Sequence, residues 1–256
     1  MRMLAHGTVE VQEEGEGETL VLFHSLLADR TSFDDVIRRL SVRFNVVVVA
    51  LPGFANSQPV EGGLAAIADR MAEAIAELAV PVCLLGNGYG GFVALQLVIR
   101  HPHLVSRLVL ADAGACFSEP GRAAFRGMAM GAAARGLEGI ADIAMRRLFA
   151  PEFHAANPEM VAQRRVAFLE TEPPVVIAAC EALATLDLRP DLCHITIPVL
   201  AIVGAEDEAT PPAMSHELVR LLPNAQLQVL EGLAHVPQLQ SPERFLDAVM
   251  PFLTQA

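Results

Sequence analysis

The stretch "CLLGNGYGGFVAL", residues 83–95, decides the fold of this chain. An apolar run typical of a buried strand ends in Gly-Asn-Gly-Tyr-Gly-Gly, and apolar residues at helical spacing follow directly. This arrangement predicts a strand, a sharp turn centred on Gly88 and a helix that begins at Tyr89. The central residue of such a turn takes a positive φ, and Gly86 and Gly90 are needed because side chains there would collide.

Strands and helices alternate on both sides of this turn. Apolar and β-branched runs predict strands at 19–24, 45–50, 82–86, 105–112, 198–204 and 226–230. Amphipathic or alanine-rich patterns predict helices at 33–40, 64–79, 89–100, 213–222 and 242–253. The alternation indicates βαβ units and therefore an α/β fold with a mostly parallel sheet that is buried on both faces.

The alternation stops between Cys116 and Cys193. This part contains no strand pattern and four helical segments, near 120–131, 136–149, 158–170 and 174–186. We predict a helical insertion, 116–193, on a core made of 1–115 and 194–256. The insertion carries eight of the 18 arginines, which we expect to be mostly solvated, with contact to a carboxylate-bearing substrate as the alternative: Arg122, Arg126, Arg135, Arg146, Arg147, Arg164, Arg165 and Arg189.

Composition limits the function classes. The chain has 256 residues, 53% of them hydrophobic and 19% charged, which excludes disorder and allows one large core. A net charge of −12 argues against nucleic acid as a partner, because nucleic-acid binding is driven by phosphate neutralisation. The absence of lysine from the sequence excludes a P-loop lysine and a lysine Schiff base.

The sequence also predicts a cytoplasmic protein without a membrane span. The uncharged stretch 78–99 is broken by a proline, an asparagine and several glycines, so it fits a buried strand, turn and helix. The first ten residues contain no apolar signal region, and the four cysteines are scattered without a CxxC pair. No histidine has metal-ligand spacing, and we predict neither a metal nor a cofactor.

Two loops near the C-terminal end carry the candidate catalytic pair. The segment GAEDEATPP (204–212) places Asp207 after one strand, and GLAHVPQLQSPERF (232–245) places His235 after the last strand. A carboxylate can hold an imidazole in one tautomer, and that imidazole can accept a proton near neutral pH. Asp112, at the end of another strand, is the alternative acid. The segment HSLLADRTSF (24–33) is placed to supply an oxyanion-binding N–H.

The order of turn, Asp and His is that of the α/β-hydrolase superfamily, which the chain resembles over nearly its whole length. The matching segments are FHSLLADRTSF (23–33), VVALPGFANSQP (48–59), LLGNGYGGFVALQLVIRHP (84–102), LVLADAGA (108–115), LDLRPDLCHITIPVLAIVGAEDEATPP (186–212), GLAH (232–235) and SPERF (241–245). The chain resembles most the cap-bearing group that includes 3-oxoadipate enol-lactonases and carbon–carbon bond hydrolases.

The resemblance implies an α/β-hydrolase fold with a mostly parallel sheet of the eight-stranded type. It implies that Asp207 is the acid and His235 the base of a catalytic triad. It also implies that the backbone N–H groups of Leu26 and Tyr89 bind the oxyanion, and that the helical insertion is a cap over the substrate.

Gly88 is the main departure from the family, which has Ser, Asp or Cys at this position. In the oxyanion loop, His24 is followed by Ser25 in place of the familiar glycine, a change that enol-lactonases share. We include Ser25 and Cys116 among the substrate-contacting candidates. Ser25 is expected to tune the oxyanion loop, and a buried, inert thiol is the alternative for Cys116.

These observations predict an enzyme that acts on a small carbonyl compound, namely a lactone, an ester or a β-diketone. The His235–Asp207 dyad would activate a water held in the notch above Gly88, without a serine nucleophile. Three alternatives stay open: an inactive member with an engineered or natural Ser→Gly change, a non-enzymatic ligand-binding protein, and a lyase or cofactor-free oxygenase with His235 as base. The only partner predicted is the small-molecule substrate, and an Ala/Met-rich cap leaves a homo-oligomer open.

Overall fold

An eight-stranded sheet organises residues 1–255, the part of the chain that this computed structural model describes. The strands are β1 (Arg2–Leu4), β2 (Val9–Glu14), β3 (Glu18–Phe23), β4 (Phe44–Val49), β5 (Val82–Asn87), β6 (Val105–Ala111), β7 (Val199–Gly204) and β8 (Ala225–Leu230). Their order in the sheet is β1-β2-β4-β3-β5-β6-β7-β8. Strands β3 to β8 run parallel, while β1 and β2 pair in antiparallel fashion. The expected α/β fold with a mostly parallel sheet is confirmed.

Residues 1–255 form eleven α-helices, some of which cover the two faces of this sheet. They are α1 (Asp34–Leu40), α2 (Gly63–Ala76), α3 (Tyr89–Arg100), α4 (Glu119–Arg135), α5 (Ala141–Leu148), α6 (Pro151–Ala156), α7 (Pro158–Leu169), α8 (Pro173–Thr185), α9 (Pro212–Leu221), α10 (Pro237–Gln240) and α11 (Pro242–Leu253). The apolar residues of α1 and α11 pack in one core layer, and those of α2, α3 and α9 in the other. In β3, Val21 and Phe23 face one layer, whereas Leu20 and Leu22 face the other. Burial on both sides explains why this strand is a continuous apolar run.

In the described part of the chain, 1–255, the insertion between β6 and β7 holds five α-helices, α4 to α8, where the sequence predicts four. The additional helix, α6, has only six residues and lies between two prolines, so it has little periodicity to detect. At the base of the insertion, Cys116 pairs with Asp187 in an isolated bridge, and the Leu188 N–H donates to the Ala115 carbonyl at 2.8 Å. These contacts lie close to the proposed cap bounds of 116–193.

The turn between β5 and α3 consists of Gly88 alone, with φ +52° and ψ −117°. An added Cβ at Gly86 would lie 2.4 Å from the Gly90 carbonyl oxygen, and one at Gly90 would lie 2.4 Å from the Phe23 oxygen. The backbones therefore approach so closely that only glycine fits at these two positions. This packing brings the start of α3 next to the loop after β3. None of the helices within residues 1–255 is both long and apolar enough to cross a membrane.

Candidate active site

His235 and Asp207 lie side by side at the carboxyl ends of the parallel strands. His235 is in the loop between β8 and α10, and Asp207 is in the loop after β7. The His235 Nδ1–H donates to Asp207 Oδ2 at 2.9 Å, and both residues are buried. This bond fixes the tautomer in which Nε2 is free to accept a proton.

Asp207 is held as a carboxylate by its surroundings. Burial opposes its ionisation, but the charge and hydrogen bond of His235 and the hydrogen bonds of Thr210 outweigh burial and lower the pKa of Asp207. The N–H groups of Ala209 and Thr210 donate to Oδ1 at 2.7 and 3.1 Å, and the Thr210 hydroxyl lies 2.6 Å from Oδ2. Asp207 can therefore orient His235 and stabilise the imidazolium that forms when His235 takes a proton.

Asp112 does not share this role. It follows β6 with φ +54°, is fully buried, and accepts the Gly204 N–H on Oδ1 at 2.9 Å. Burial and then the negative charge of Asp207 raise the pKa of Asp112 well above its usual value. His235 is hydrogen-bonded to Asp207, and among residues 1–255 no bond joins Asp112 to His235. The geometry therefore favours Asp207 over the alternative acid.

The side chain of Ser25 lies in the space above Gly88. The sequence predicts a notch with a water molecule in this space. The Ser25 Oγ lies 3.2 Å from His235 Nε2. A Cβ built on Gly88 would lie 2.6 Å from Ser25 Oγ and 2.6 Å from His235 Nε2. The expectation of an empty notch is wrong because the loop after β3 approaches the turn closely enough for Ser25 to fill it.

His24 fixes the backbone of this loop. Its ring Nδ1–H donates to the Ser25 carbonyl at 2.9 Å, and its Nε2 accepts the Leu51 N–H at 3.1 Å. Burial lowers the pKa of His24, so the ring is neutral and both nitrogens are used in holding the chain. The Gly90 N–H donates to the His24 carbonyl at 3.0 Å, which joins the loop to the start of α3. The sequence predicts no hydrogen-bonding role for His24, although its position at the end of an apolar strand is typical of a buried residue.

Two residues that line the cavity beside His235, Leu26 and Tyr89, have backbone N–H groups available to a ligand. Tyr89 is the first residue of α3, and Leu26 follows Ser25 in the loop after β3. Within residues 1–255, neither N–H has a hydrogen-bond acceptor. The positive end of the α3 dipole lies at Tyr89 and favours negative charge there. Both groups are therefore candidate oxyanion donors, at the positions that the resemblance implies.

Asn87 joins the turn to the His235 loop, a link that the sequence analysis missed. The Asn87 Nδ2 donates to the His235 carbonyl at 2.9 Å, and Gln238 Nε2 donates to Asn87 Oδ1 at 3.0 Å. Both amide side chains are fully buried. The signal in the sequence is an amide side chain within an apolar run. Because a buried amide needs hydrogen-bond partners, its presence there indicates a link to another segment.

A small cavity opens between these groups and the insertion. Its volume for water-sized molecules is about 20 Å³, which is room for one water. Its walls include Ser25, Leu26, Gly88, Tyr89, Arg147 and His235, together with aromatic residues of α3 and the insertion.

Cys116 does not line this cavity, contrary to the expectation of substrate contact. Its Sγ lies 3.8 Å from a Glu217 carboxylate oxygen, and the next residue, Phe117, lines the cavity instead.

Arg147, on α5, is the one arginine of the insertion that lines this cavity. Its guanidinium carbon lies 5.5 Å from the centre of the Phe125 ring, and burial lowers its pKa. Within residues 1–255 it has no ion-pair or hydrogen-bond partner, whereas six other arginines of the insertion bind carboxylates or carbonyls: Arg122, Arg126, Arg135, Arg164, Arg165 and Arg189. Arg147 is therefore available to an anionic ligand.

Metal-ligating side chains do not gather here. Among residues 1–255, no group of three or more His, Cys, Asp or Glu side chains could hold a metal ion.

The sheet order, the sharp turn before α3 and the Asp and His loops after β7 and β8 define an α/β-hydrolase. A model of the Alpha/beta hydrolase family matches residues 20–248, and the chain belongs to this family.

Similar proteins include esterases and lactonases. The chain is 29% identical to a pimeloyl-[acyl-carrier protein] methyl ester esterase of Aeromonas hydrophila, over 96% of this chain and 99% of that protein. It is 32% identical to 3-oxoadipate enol-lactonase 2 of Acinetobacter baylyi over 64% of this chain and 60% of that protein. A thermophilic esterase from Thermogutta terrifontis superposes with a TM-score of 0.87 at 27% identity, covering 96% of this chain and 92% of the other. An enol-lactonase from Burkholderia xenovorans, at 24% identity, shares the fold with a TM-score of 0.90, covering 96% of each chain.

Proposed function

We propose that this protein hydrolyses a small carboxylic ester or lactone, with His235 as the general base and Asp207 as its orienting acid. The observation that carries the proposal is the 2.9 Å bond between these residues, beside a cavity that is also lined by Leu26 and Tyr89, whose N–H groups have no acceptor within residues 1–255. Similarity to esterases and to an enol-lactonase supports the same class of reaction. Gly88 has no side chain to attack a carbonyl, so the attacking oxygen comes from another group.

The reaction follows from the positions of these groups. His235 Nε2 takes the proton of the attacking hydroxyl while the oxygen of that hydroxyl bonds to the carbonyl carbon of the substrate. The carbonyl oxygen becomes negative and is stabilised by the N–H groups of Leu26 and Tyr89. His235 then gives its proton to the leaving alkoxide as the carbon–oxygen bond of the ester breaks. Asp207 stays ionised throughout and balances the transient charge on the imidazole.

Arg147 defines the preferred substrate within this class. Its partly buried guanidinium has no partner in residues 1–255 and lines the cavity beside His235. A carboxylate on the substrate would supply charge-assisted hydrogen bonds to it, stronger than those between neutral groups. We therefore propose an ester or lactone that also carries a carboxylate. Most of the remaining lining residues are aromatic or aliphatic and would contact a short carbon chain.

The proposal is tested with a panel of p-nitrophenyl esters, γ-lactones and a β-diketone, each with and without a carboxylate. We expect hydrolysis of at least one ester or lactone by the natural sequence. The change His235→Ala should lower kcat/KM by about 10³-fold or more, because the base is lost. The matched control is His101→Ala: His101 forms a 2.7 Å pair with Asp69 away from the cavity, and its loss should leave kcat/KM unchanged.

Two outcomes would contradict the proposal. Activity that survives His235→Ala would exclude the dyad as its source. Inactivity towards every ester and lactone with hydrolysis of the β-diketone would favour a carbon–carbon bond hydrolase, and ligand binding without any turnover would favour a binding protein.

A further inference from the structure

Ser25 occupies the place where a side chain on the turn residue would project. A Cβ on Gly88 would lie 2.6 Å from Ser25 Oγ and 3.0 Å from Ser25 Cβ. The hydroxyl therefore reaches the region above the turn from the loop after β3. At Gly88 itself there is no atom that could compete for this space.

We propose that Ser25 is the nucleophile and that the working triad is Ser25–His235–Asp207. This inference rests on the proposed hydrolytic function and names the attacking oxygen. The Ser25 Oγ lies 3.2 Å from His235 Nε2, and His235 Nδ1 lies 2.9 Å from Asp207 Oδ2. Hydroxyl, imidazole and carboxylate thus form one continuous chain of hydrogen bonds, the relation that activates a serine.

The loop holds this hydroxyl in position. The side chain of Ser25 is 1% exposed, yet it lines the cavity. Within residues 1–255, His235 Nε2 is the only hydrogen-bond partner of its Oγ. The neutral ring of His24 fixes the Ser25 carbonyl and the Leu51 N–H at once, so the backbone on both sides of the hydroxyl is restrained. A nucleophile held in this way loses little entropy when it attacks.

The oxyanion donors stand next to the same hydroxyl. The N–H of Leu26 belongs to the residue after Ser25, and the N–H of Tyr89 opens α3 directly after Gly88. Both residues line the cavity with Ser25. A carbonyl carbon bonded to the Ser25 Oγ would therefore have its oxygen close to both donors.

The chemistry balances in two steps. In the first, the Ser25 proton passes to His235 Nε2, Oγ bonds to the carbonyl carbon, and the ester C–O bond breaks as the leaving alcohol takes that proton. In the second, a water gives a proton to His235 and attacks the acyl carbon. The bond to Ser25 breaks, Oγ regains the proton from His235, and the carboxylic acid is released.

The test is covalent labelling of the intact protein with an alkyl fluorophosphonate, followed by trypsin digestion and mass spectrometry. Cleavage after Arg2 and Arg30 gives the peptide 3–30, in which Ser25 is the only serine. We expect one phosphonyl group on this residue, with fluoride as the leaving ion. The change Ser25→Ala should abolish the label and lower ester hydrolysis by about 10³-fold or more. The control Ser32→Ala should affect neither: Ser32 is buried but its hydroxyl has no partner within residues 1–255.

A double variant keeps the test decisive if Ser25→Ala is inactive for structural reasons. Gly88→Ser alone would force its Cβ against both Ser25 and His235, at 2.6 Å from each. Combined with Ser25→Gly, the contact with residue 25 is removed, and the imidazole of His235 has to shift to relieve the remaining 2.6 Å contact. We expect the double variant to regain hydrolysis and to move the label to the tryptic peptide 71–100, which contains no serine in the parent sequence.

The outcomes separate the two proposals. Absence of label on Ser25 in the natural sequence overturns the inference. Hydrolysis that persists in Ser25→Ala also overturns it and leaves His235 as the base for a directly attacking water. If no ester or lactone is hydrolysed but Ser25 is labelled, the activated serine stands and the proposed function fails.

Discussion

Two buried carboxylates near His235 differ in charge because their surroundings differ. Asp207 is bonded to the imidazole and to two backbone N–H groups, and these contacts lower its pKa. Asp112 has one N–H donor, and no partner for its Oδ2 is found within residues 1–255, so burial and the charge of Asp207 raise its pKa. Asp207 is thus ionised at neutral pH, whereas its surroundings favour the protonated form of Asp112.

The difference gives a pH-dependent prediction for Asp112→Asn. In the unfolded chain Asp112 releases its proton near the ordinary pKa of 3.8, whereas the folded protein retains it to higher pH. The free energy of unfolding of the protein with Asp112 therefore falls as the pH rises above 3.8. Asparagine cannot ionise, so it removes this loss, and its side-chain oxygen can still accept the Gly204 N–H. The melting temperature of the variant minus that of the natural sequence should increase between pH 4 and pH 8, as measured by circular dichroism. A difference that is independent of pH would contradict the assigned protonation of Asp112.

The sequence predicts individual residues of this site when their loop position alone is sufficient. Asp207 and His235 follow strands in a recognisable order, so their bond could be anticipated. The contact between Ser25 and His235 could not, because it joins residues 210 positions apart. It depends on how closely the loop after β3 approaches the turn, and residue pattern carries no information about that distance.

At the level of elements, the strand–turn–helix formed by β5, Gly88 and α3 is tied to the loop before α10 by a buried amide. Asn87, the last residue of β5, donates to the carbonyl of His235 and accepts from Gln238. These two hydrogen bonds link the turn to the loop that carries His235, and we expect them to hold the imidazole near the space above Gly88.

The change Asn87→Leu tests this link. A leucine of similar volume leaves the His235 carbonyl and the Gln238 amide without their partner, which should cost about 1–3 kcal/mol of stability. It should also lower kcat more than it raises KM, because the base is displaced. Urea unfolding and steady-state kinetics measure the two effects. The control Asn45→Leu removes an exposed contact to Glu13 and should change stability by less than about 0.5 kcal/mol. Unaltered kcat in Asn87→Leu would show that the amide does not position His235.

The sequence predicts the ends of a helix or strand well where the element is buried along its length, and it fails to predict strands that are only partly buried. The helices α3 and α11 begin and end at the predicted residues, and the interior strands differ from prediction by one or two residues. Strand β2 was missed because only its first half, around Val9 and Val11, is buried, while its second half is acidic and exposed. Strand β1 has three residues, which is too short for a period to be visible.

At the scale of the whole molecule, the insertion narrows the space beside His235. The cavity there has a volume of about 20 Å³, which is room for one water, so we expect ester binding to involve an outward movement of the insertion or of its side chains. The methionines that suggested a homo-oligomer divide between interior and surface, since Met128 and Met145 are buried and Met130 is 68% exposed. Association of copies stays a prediction.

Arg147 supplies a local positive charge in a protein whose net charge is −12. The change Arg147→Met keeps much of the side-chain volume and removes the charge. We expect KM for a carboxylate-bearing ester to rise about 10-fold or more, in line with the loss of a charge-assisted hydrogen bond, while KM for its neutral methyl analogue stays the same. The neighbouring exposed residue provides the control, Arg146→Met. An equal rise in KM for both substrates would show that Arg147 contributes to packing and does not bind the substrate carboxylate.

The central claim is that the pair of His235 and Asp207 drives ester hydrolysis. The most direct measurement is kcat/KM for the best ester in Asp207→Asn compared with the natural sequence. Asparagine preserves the shape of the site but favours the wrong imidazole tautomer, so the account predicts a loss of about 10⁴-fold in a folded protein. A folded variant whose kcat/KM equals that of the natural sequence would contradict it.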